Sequence, residues 1–394
     1  MQITPYGSVL ADVTGGRIVG LVENDGMKIF RGVPYAAAPY GANRFREPRP
    51  VEPWDGERDA TTFGPSTYQI EPLFRGHGFN YRSIMGPGWR PGDETLNLNI
   101  WTPGEAGDDL PVLVHIHGGA FLTGNGGLPA YDGRHLAERG AVYVSIHYRT
   151  GTEGFAAFEG AATNRGLRDQ IAALTWVQEN IAVFGGDPGR VMVHGESAGG
   201  MSIALLLASP AADGLFHRAI IQSGSSPMAE GPERAADRAR RIAEALGLAP
   251  TAEALSAVDQ RTLLDTALPA LAEHHDDQWG TLALGPWIDD DIVPVDLDAA
   301  ESDDHLEELG SEPLGLLVLL GHNVGEGLVV AGRGLDGVVG RHHSHHSAHG
   351  EHWEDDYDHG DHHPDAGGPP AHHAPVLDHR LPDRRPHPGR STRP

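Results

Sequence analysis

The pentapeptide Gly195-Glu196-Ser197-Ala198-Gly199 is the stretch whose residue types and spacing could do chemistry. The apolar run Val191–Val193 leads into it, and a small-residue helical stretch, Met201–Ala208, follows. A serine on a sharp strand-to-helix turn is lifted clear of the backbone, and the flanking glycines leave room because neither carries a Cβ. The helix that begins there turns free N–H groups toward whatever Ser197 attacks. Such a nucleophile needs a base to take its proton, an acid to orient that base, and donors for the developing oxyanion. In His117-Gly118-Gly119-Ala120 the chain leaves a strand through small residues, so its N–H groups can approach a ligand closely. Gly119 and Ala120, with Ala198 just past the serine, are the candidate oxyanion donors, each worth typically about 3 kcal/mol in a transition state. The plain alternative for 117–121 is a tight strand-to-helix turn.

Glu326, in a glycine-bounded loop after the apolar run 313–320, is the candidate acid. Asp169, Asp187 and Glu196 compete with it. Asp187 precedes a proline and suits turn chemistry. Glu196 sits inside the constrained turn, with its side chain expected to point away from Ser197.

These residues need a scaffold, and the hydrophobic pattern supplies one. Residues 1–60 read as short strands and turns, with Asn24-Asp25-Gly26 as a hairpin turn between 17–21 and 27–30. Residues 64–93 form a long Gly/Pro/aromatic loop of the kind that can shape a pocket. From Leu96 strands alternate with helices: strands over 96–101, 112–116, 141–146 and 219–222, and a helix over 168–184 whose Ile171, Leu174, Val177 and Ile181 share a face. This rhythm predicts an α/β fold with a mostly parallel sheet covered by helices on both faces. Residues 232–275 read as a helical insertion, with Gly247 closing its first helix.

Composition narrows the partners. The 394 residues carry a net charge of −26, which disfavours nucleic acid and anionic membrane surfaces. The absence of cysteine excludes disulfides, thiolate nucleophiles and Cys-ligated metal. Met1–Leu10 lacks the basic start and apolar core of a leader, and no apolar run reaches membrane-spanning length, so a soluble cytoplasmic chain is expected. From about Gly332 apolar periodicity ends. Thirteen histidines fall within 341–394 among Pro, Arg, Asp and Gly, a composition expected to stay disordered.

Several blocks resemble the type B carboxylesterases, the family of the cholinesterases and bacterial p-nitrobenzyl esterases. They are Phe30–Ala36, Arg44–Pro48, Asp93–Trp101 (with Thr95 where that family has a cysteine), Asn180–Pro188, Gly195–Gly199 and Gln222–Ser225. Asn323-Val324-Gly325-Glu326-Gly327 is similar to the family's glutamate motif, and Pro286–Asp291 to the segment before it. The resemblance runs from about Gly16 to Gly327. It implies an α/β-hydrolase fold, with Ser197 as nucleophile, Glu326 as triad acid, and Gly119, Ala120 and Ala198 as oxyanion donors. It implies no cofactor and no metal, and a small-molecule carboxylic ester as substrate.

In that family the triad histidine lies in a His-Gly block roughly ninety or more residues beyond the glutamate, which here falls past Pro394. Within the chain, His349 in Ser347–Glu351 has the most suggestive neighbours. The expectation is an incomplete α/β-hydrolase domain over 1–331, cut short by truncation or a frame shift, followed by a low-complexity tail over 332–394. The function expected is a serine carboxylic-ester hydrolase working through an acyl-enzyme on Ser197, impaired if no base is present. The alternative class is a non-catalytic interaction protein of the same fold, as the neuroligins are, although those have lost the serine. A third reading is metal binding by His342–His346, set against a merely solvated tail.

Overall fold

The computed structural model describes residues 1–3, 7–70, 88–224, 229–272, 283–294, 317–320 and 329–331. They belong to a compact unit spanning 1–342; a second unit, 343–394, lies outside the described residues, as does the whole segment expected as a tail. The strands are β1 (Gln2–Ile3), β2 (Ser8–Val13), β3 (Gly16–Val22), β4 (Lys28–Pro34), β5 (Glu57–Asp59) and β6 (Asn97–Thr102). Then follow β7 (Leu110–Ile116), β8 (Val142–Ile146), β9 (Gly186–Glu196), β10 (Arg218–Gln222), β11 (Leu317–Leu320) and β12 (Val329–Ala331). The helices are α1 (Arg134–Ala137), α2 (Gly151–Phe155), α3 (Arg165–Asn180), α4 (Ala198–Ala208), α5 (Pro232–Ala245), α6 (Ala252–Leu255) and α7 (Gln260–Ala272).

All twelve strands join one sheet, ordered β1-β2-β3-β4-β6-β8-β7-β9-β10-β11-β12, with β5 beside β3. It is mixed, which corrects the mostly parallel expectation. Pairing along β1 to β8 is antiparallel, as is β11 with β12. Parallel pairing is confined to β8-β7-β9-β10-β11 and the β3–β5 edge. For β2–β3 and β3–β4 the reason is loop length: Thr14-Gly15 and Glu23–Met27 are too short for a crossover and can only reverse the chain. The second turn is the one expected, with Gly26 at φ 87° and the Asp25 carboxylate accepting the Met27 N–H.

Helix α3 starts at Arg165, three residues before the expected start at 168. Its first turn carries Arg165, fully buried, whose guanidinium donates to the carbonyls of Thr152, Glu153, Ala156 and Ala162. A buried arginine satisfied by backbone leaves no hydrophobic periodicity to read. The helix ends at Asn180, and a tighter turn, Ile181–Phe184, completes the span before Gly185 at φ 82°. Gly247 closes α5 as expected, its N–H bonding Glu244 O while Leu248 N–H reaches Ala243 O. Val112, Val114 and Ile116 of β7 point to the main core with α3 and α4. On the opposite face Met27, Ile29, Trp101, Tyr143 and Ala137 of α1 form a smaller cluster.

Candidate active site

The parallel strands end level with one another. Ile116 is registered with Gly195, Gln222 with Glu196, and Gln222 again with Leu320, so β7, β9, β10 and β11 reach the same carboxyl edge. That is where open α/β sheets gather binding and catalytic groups.

Ser197 stands on this edge between β9 and α4, at φ 55° and ψ −123°. A non-glycine residue there carries strain of about 1–3 kcal/mol, which the surroundings must hold in place. The Ser197 N–H donates to Gln222 O (2.8 Å) and its carbonyl accepts from Met201 N (2.8 Å), so both flanking peptides are fixed. A Cβ on Gly195 would stand 2.7 Å from Ile116 O, and one on Gly199 would run into the same oxygen. The two glycines are therefore required by close approach of β7. Glu196 is exposed.

The loop after β7 lies against this turn. A Cβ on Gly118 would sit 2.5 Å from Glu196 O and 3.4 Å from Ser197 Cβ. Gly119 (φ 118°), Ala120 (φ 55°) and Phe121 (φ 58°) follow in left-handed backbone. The Gly119 carbonyl accepts from Leu122 N (3.0 Å), Thr123 N (2.9 Å) and Thr123 Oγ1 (3.2 Å). Because a trans peptide is planar, its C=O and N–H point in opposite directions. Holding Gly119 C=O into the turn thus aims the Ala120 N–H out of it. Likewise Gly118 C=O accepts from His117 Nδ1 (2.9 Å), which turns the Gly119 N–H the other way, and Ser197 C=O, bonded along α4, does the same for Ala198 N–H. Among the described residues, the N–H groups of Gly119, Ala120 and Ala198 have no acceptor.

His117 is fully buried and stacked on Tyr148 (4.2 Å between ring centroids, 16° apart), whose hydroxyl donates to His117 O (2.8 Å). Burial pushes its pKa down to about 4, against a weaker upward effect of the Gly118 carbonyl. The imidazole is therefore neutral at pH 7, with its proton on Nδ1, since a carbonyl can only accept.

Of the competing acids, Asp169 is fully buried and bonded to Arg149 through Nε and Nη2 (2.8 Å each) and the Arg149 N–H (3.0 Å). Asp187 accepts the Gly189 N–H (2.8 Å), the turn role expected of it. Glu326 and His349 lie outside the described residues. The chain leaves β11 at the same carboxyl edge as Ser197, shortly before Glu326 in sequence. Nothing in the pattern of residues 64–93 points to Gln69, a buried side chain that hydrogen-bonds the loop after β7. Among the described residues no group of three or more His, Cys, Asp or Glu could hold a metal ion, and no helix is long and apolar enough to cross a membrane.

Comparison with known proteins agrees with this architecture. The chain is 44% identical over 238 residues to para-nitrobenzyl esterase of Bacillus subtilis (strain 168), covering 59% of this chain and 47% of that protein. It is 42% identical to phenmedipham hydrolase of Pseudarthrobacter oxydans, over 72% of this chain and 57% of that one. Cholinesterase of Mus musculus is 42% identical over 59% of this chain and 40% of that protein. The chain thus spans about half the length of the curated relatives it matches. Among solved structures, a thermophilic p-nitrobenzyl esterase superimposes with a TM-score of 0.68 at 36% identity, covering 79% of this chain and 62% of that one. A carboxylesterase of Geobacillus stearothermophilus gives 0.63 at 38% identity, covering 74% and 59%. The sequence profile of the Carboxylesterase family matches residues 8–369, well past Gly327, where the motif-by-motif resemblance ends, and the chain belongs to that family.

Proposed function

We propose that the chain is a serine carboxylic-ester hydrolase in which Ser197 is the nucleophile and the N–H groups of Gly119, Ala120 and Ala198 form the oxyanion hole. What supports this reading is that, among the described residues, the N–H groups of Gly119, Ala120 and Ala198 have no acceptor, and that they belong to the loop and helix start flanking a strained serine at the carboxyl edge of the sheet. A hydroxyl there attacks an ester carbonyl, and the alkoxide that develops on the carbonyl oxygen takes hydrogen bonds that no ground-state group occupies. Collapse expels the alcohol and leaves an acyl-Ser197; water then releases the acid. Glu326 is the proposed triad acid, and the base is a histidine beyond it, on the order of the family. A cytoplasmic location and a small-molecule ester substrate belong to the same proposal.

The test is labelling by a fluorophosphonate together with p-nitrophenyl acetate hydrolysis, in wild type and Ser197→Ala. Ser197-dependent label and turnover support the reading. A folded wild type that neither takes label nor turns over ester would favour the non-catalytic alternative. Label with turnover reduced on the order of 10⁴-fold is the signature of an assembled nucleophile lacking its base.

A further inference from the structure

We propose that Gln69 is a positioning residue for the oxyanion loop, acting through Gly124; this rests on the hydrolase reading above. Gln69 is 4% exposed, and its amide pairs with one residue in both senses. Its Oε1 accepts the Gly124 N–H (2.7 Å) and its Nε2 donates to the Gly124 carbonyl (3.0 Å). A primary amide supplies an acceptor and a donor at that spacing without titrating, so it stands in for a neighbouring β-strand.

What Gln69 holds is the far end of the loop that begins at His117. Gly124, at φ 100°, lies directly on the first residues of the loop: a Cβ there would collide with Gly118 O and stand 2.5 Å from His117 Nδ1. These are the two atoms whose hydrogen bond turns the Gly119 N–H outward. The loop is thereby closed on itself, Gly124 against Gly118, and Gly118 in turn against Ser197. Its inner peptides carry strain at Ala120 and Phe121, and a strained loop keeps its geometry only while both ends are held.

Gln69 has a firm base from which to hold it. Four residues earlier, Pro65 O accepts a hydrogen bond from His147 Nδ1 (3.1 Å) at the end of β8, and Asn97 Nδ2 donates to the same carbonyl (2.9 Å). The neighbouring segment is tied in as well, since Asn125 Nδ2 donates to Gly88 O and Ser66 N to Arg90 O. The 65–69 segment is thus a strut between β8 and the loop, and Gln69 is its tip. Through that tip the segment sets the direction in which the oxyanion donors point.

The experiment compares wild type with Gln69→Met, which keeps the length and removes both hydrogen bonds, and Gln69→Glu, which keeps the acceptor for Gly124 N–H. Amide hydrogen exchange is followed in peptides covering 117–124, with α3 as the internal reference, alongside the second-order rate of fluorophosphonate labelling. Gln69→Met is expected to exchange at least tenfold faster in 117–124, to keep α3 protection, and to label at least tenfold more slowly. Gln69→Glu is expected to lie between, which also provides the test if Gln69→Met does not fold. Unchanged exchange in 117–124 overturns the proposal, and so does faster exchange with an unchanged labelling rate. A folded wild type that takes no label at all overturns the hydrolase reading and, with it, the oxyanion role of Gln69; faster exchange in Gln69→Met would then show only that Gln69 braces a loop.

Discussion

Gly199 lies so close beneath the carbonyl oxygen of Ile116 that no side chain fits between them. The two residues come from α4 and β7, and both groups are backbone, so a methyl group cannot be accommodated by a rotamer change. Gly199→Ala is expected to destabilise the fold by about 3 kcal/mol, at the upper end of overpacking costs, and to abolish labelling of Ser197. Urea unfolding with fluorophosphonate labelling checks this, and a variant that unfolds at the wild-type midpoint contradicts it.

Ser197→Gly is expected to move stability the other way. Glycine relieves strain of about 1–3 kcal/mol at φ 55°. It gives back roughly 0.4–1 kcal/mol through its greater freedom in the unfolded chain. A net gain of order 1 kcal/mol in denaturant unfolding, with complete loss of label, is the expected result. Ser197→Ala, which keeps the strain, should lose the label without that gain.

Asp169→Asn leaves the Arg149 guanidinium, itself 0% exposed, without its anion. Removing one partner of a buried pair typically costs about 3–5 kcal/mol. Because the carboxylate also accepts the Arg149 N–H, the chain leaving β8 loses its anchor at the same time. Thermal unfolding of this variant should shift down by well over the few degrees expected of a surface change.

Acid should weaken the fold through histidines the chemistry does not use. His115 and His194 face each other across β7 and β9 (4.8 Å between ring centroids), with Tyr131 and Tyr143 completing the ring cluster. Burial pushes the His194 pKa down to about 4 and that of His115 well below its ordinary 6.5. The unfolded chain takes up protons below pH 6.5 that the folded chain refuses until about pH 4, so stability falls as pH falls through that window. For a shift of the His194 size the full loss is about 3 kcal/mol. His194→Phe should flatten the slope of unfolding free energy between about pH 6.5 and 4.5, and an unchanged slope contradicts the assignment.

Ser197, Gly119, Ala120 and the parallel strands are legible in the sequence because strand-then-glycine patterns leave a local mark. Asp187 is legible for the same reason, its turn being made within three residues. The antiparallel half of the sheet is harder to read, since β4, β6 and β8 pair across long stretches of chain that no local pattern encodes. Arg165 and Gln69 are invisible for a different reason. A buried polar residue satisfied by carbonyls or by a glycine backbone has no sequence period, and only the folded chain brings its partners within reach.

The mixed sheet also orders its own assembly. The β2–β3 hairpin closes between Val13 and Gly16, whereas β7 meets β9 across roughly 80 residues, as Leu113 does Met192, at an additional loop-closure cost of about 3 kcal/mol. The β2–β3 hairpin is therefore expected to close before the β7–β9 pairing at the parallel centre. The Ser197 turn exists only once β7 and β10 flank β9, because it borrows Gln222 O from one and is wedged under Ile116 O of the other. The backbone turn that strains Ser197 is therefore expected to form after the N-terminal hairpins and, on unfolding, to open before they come apart.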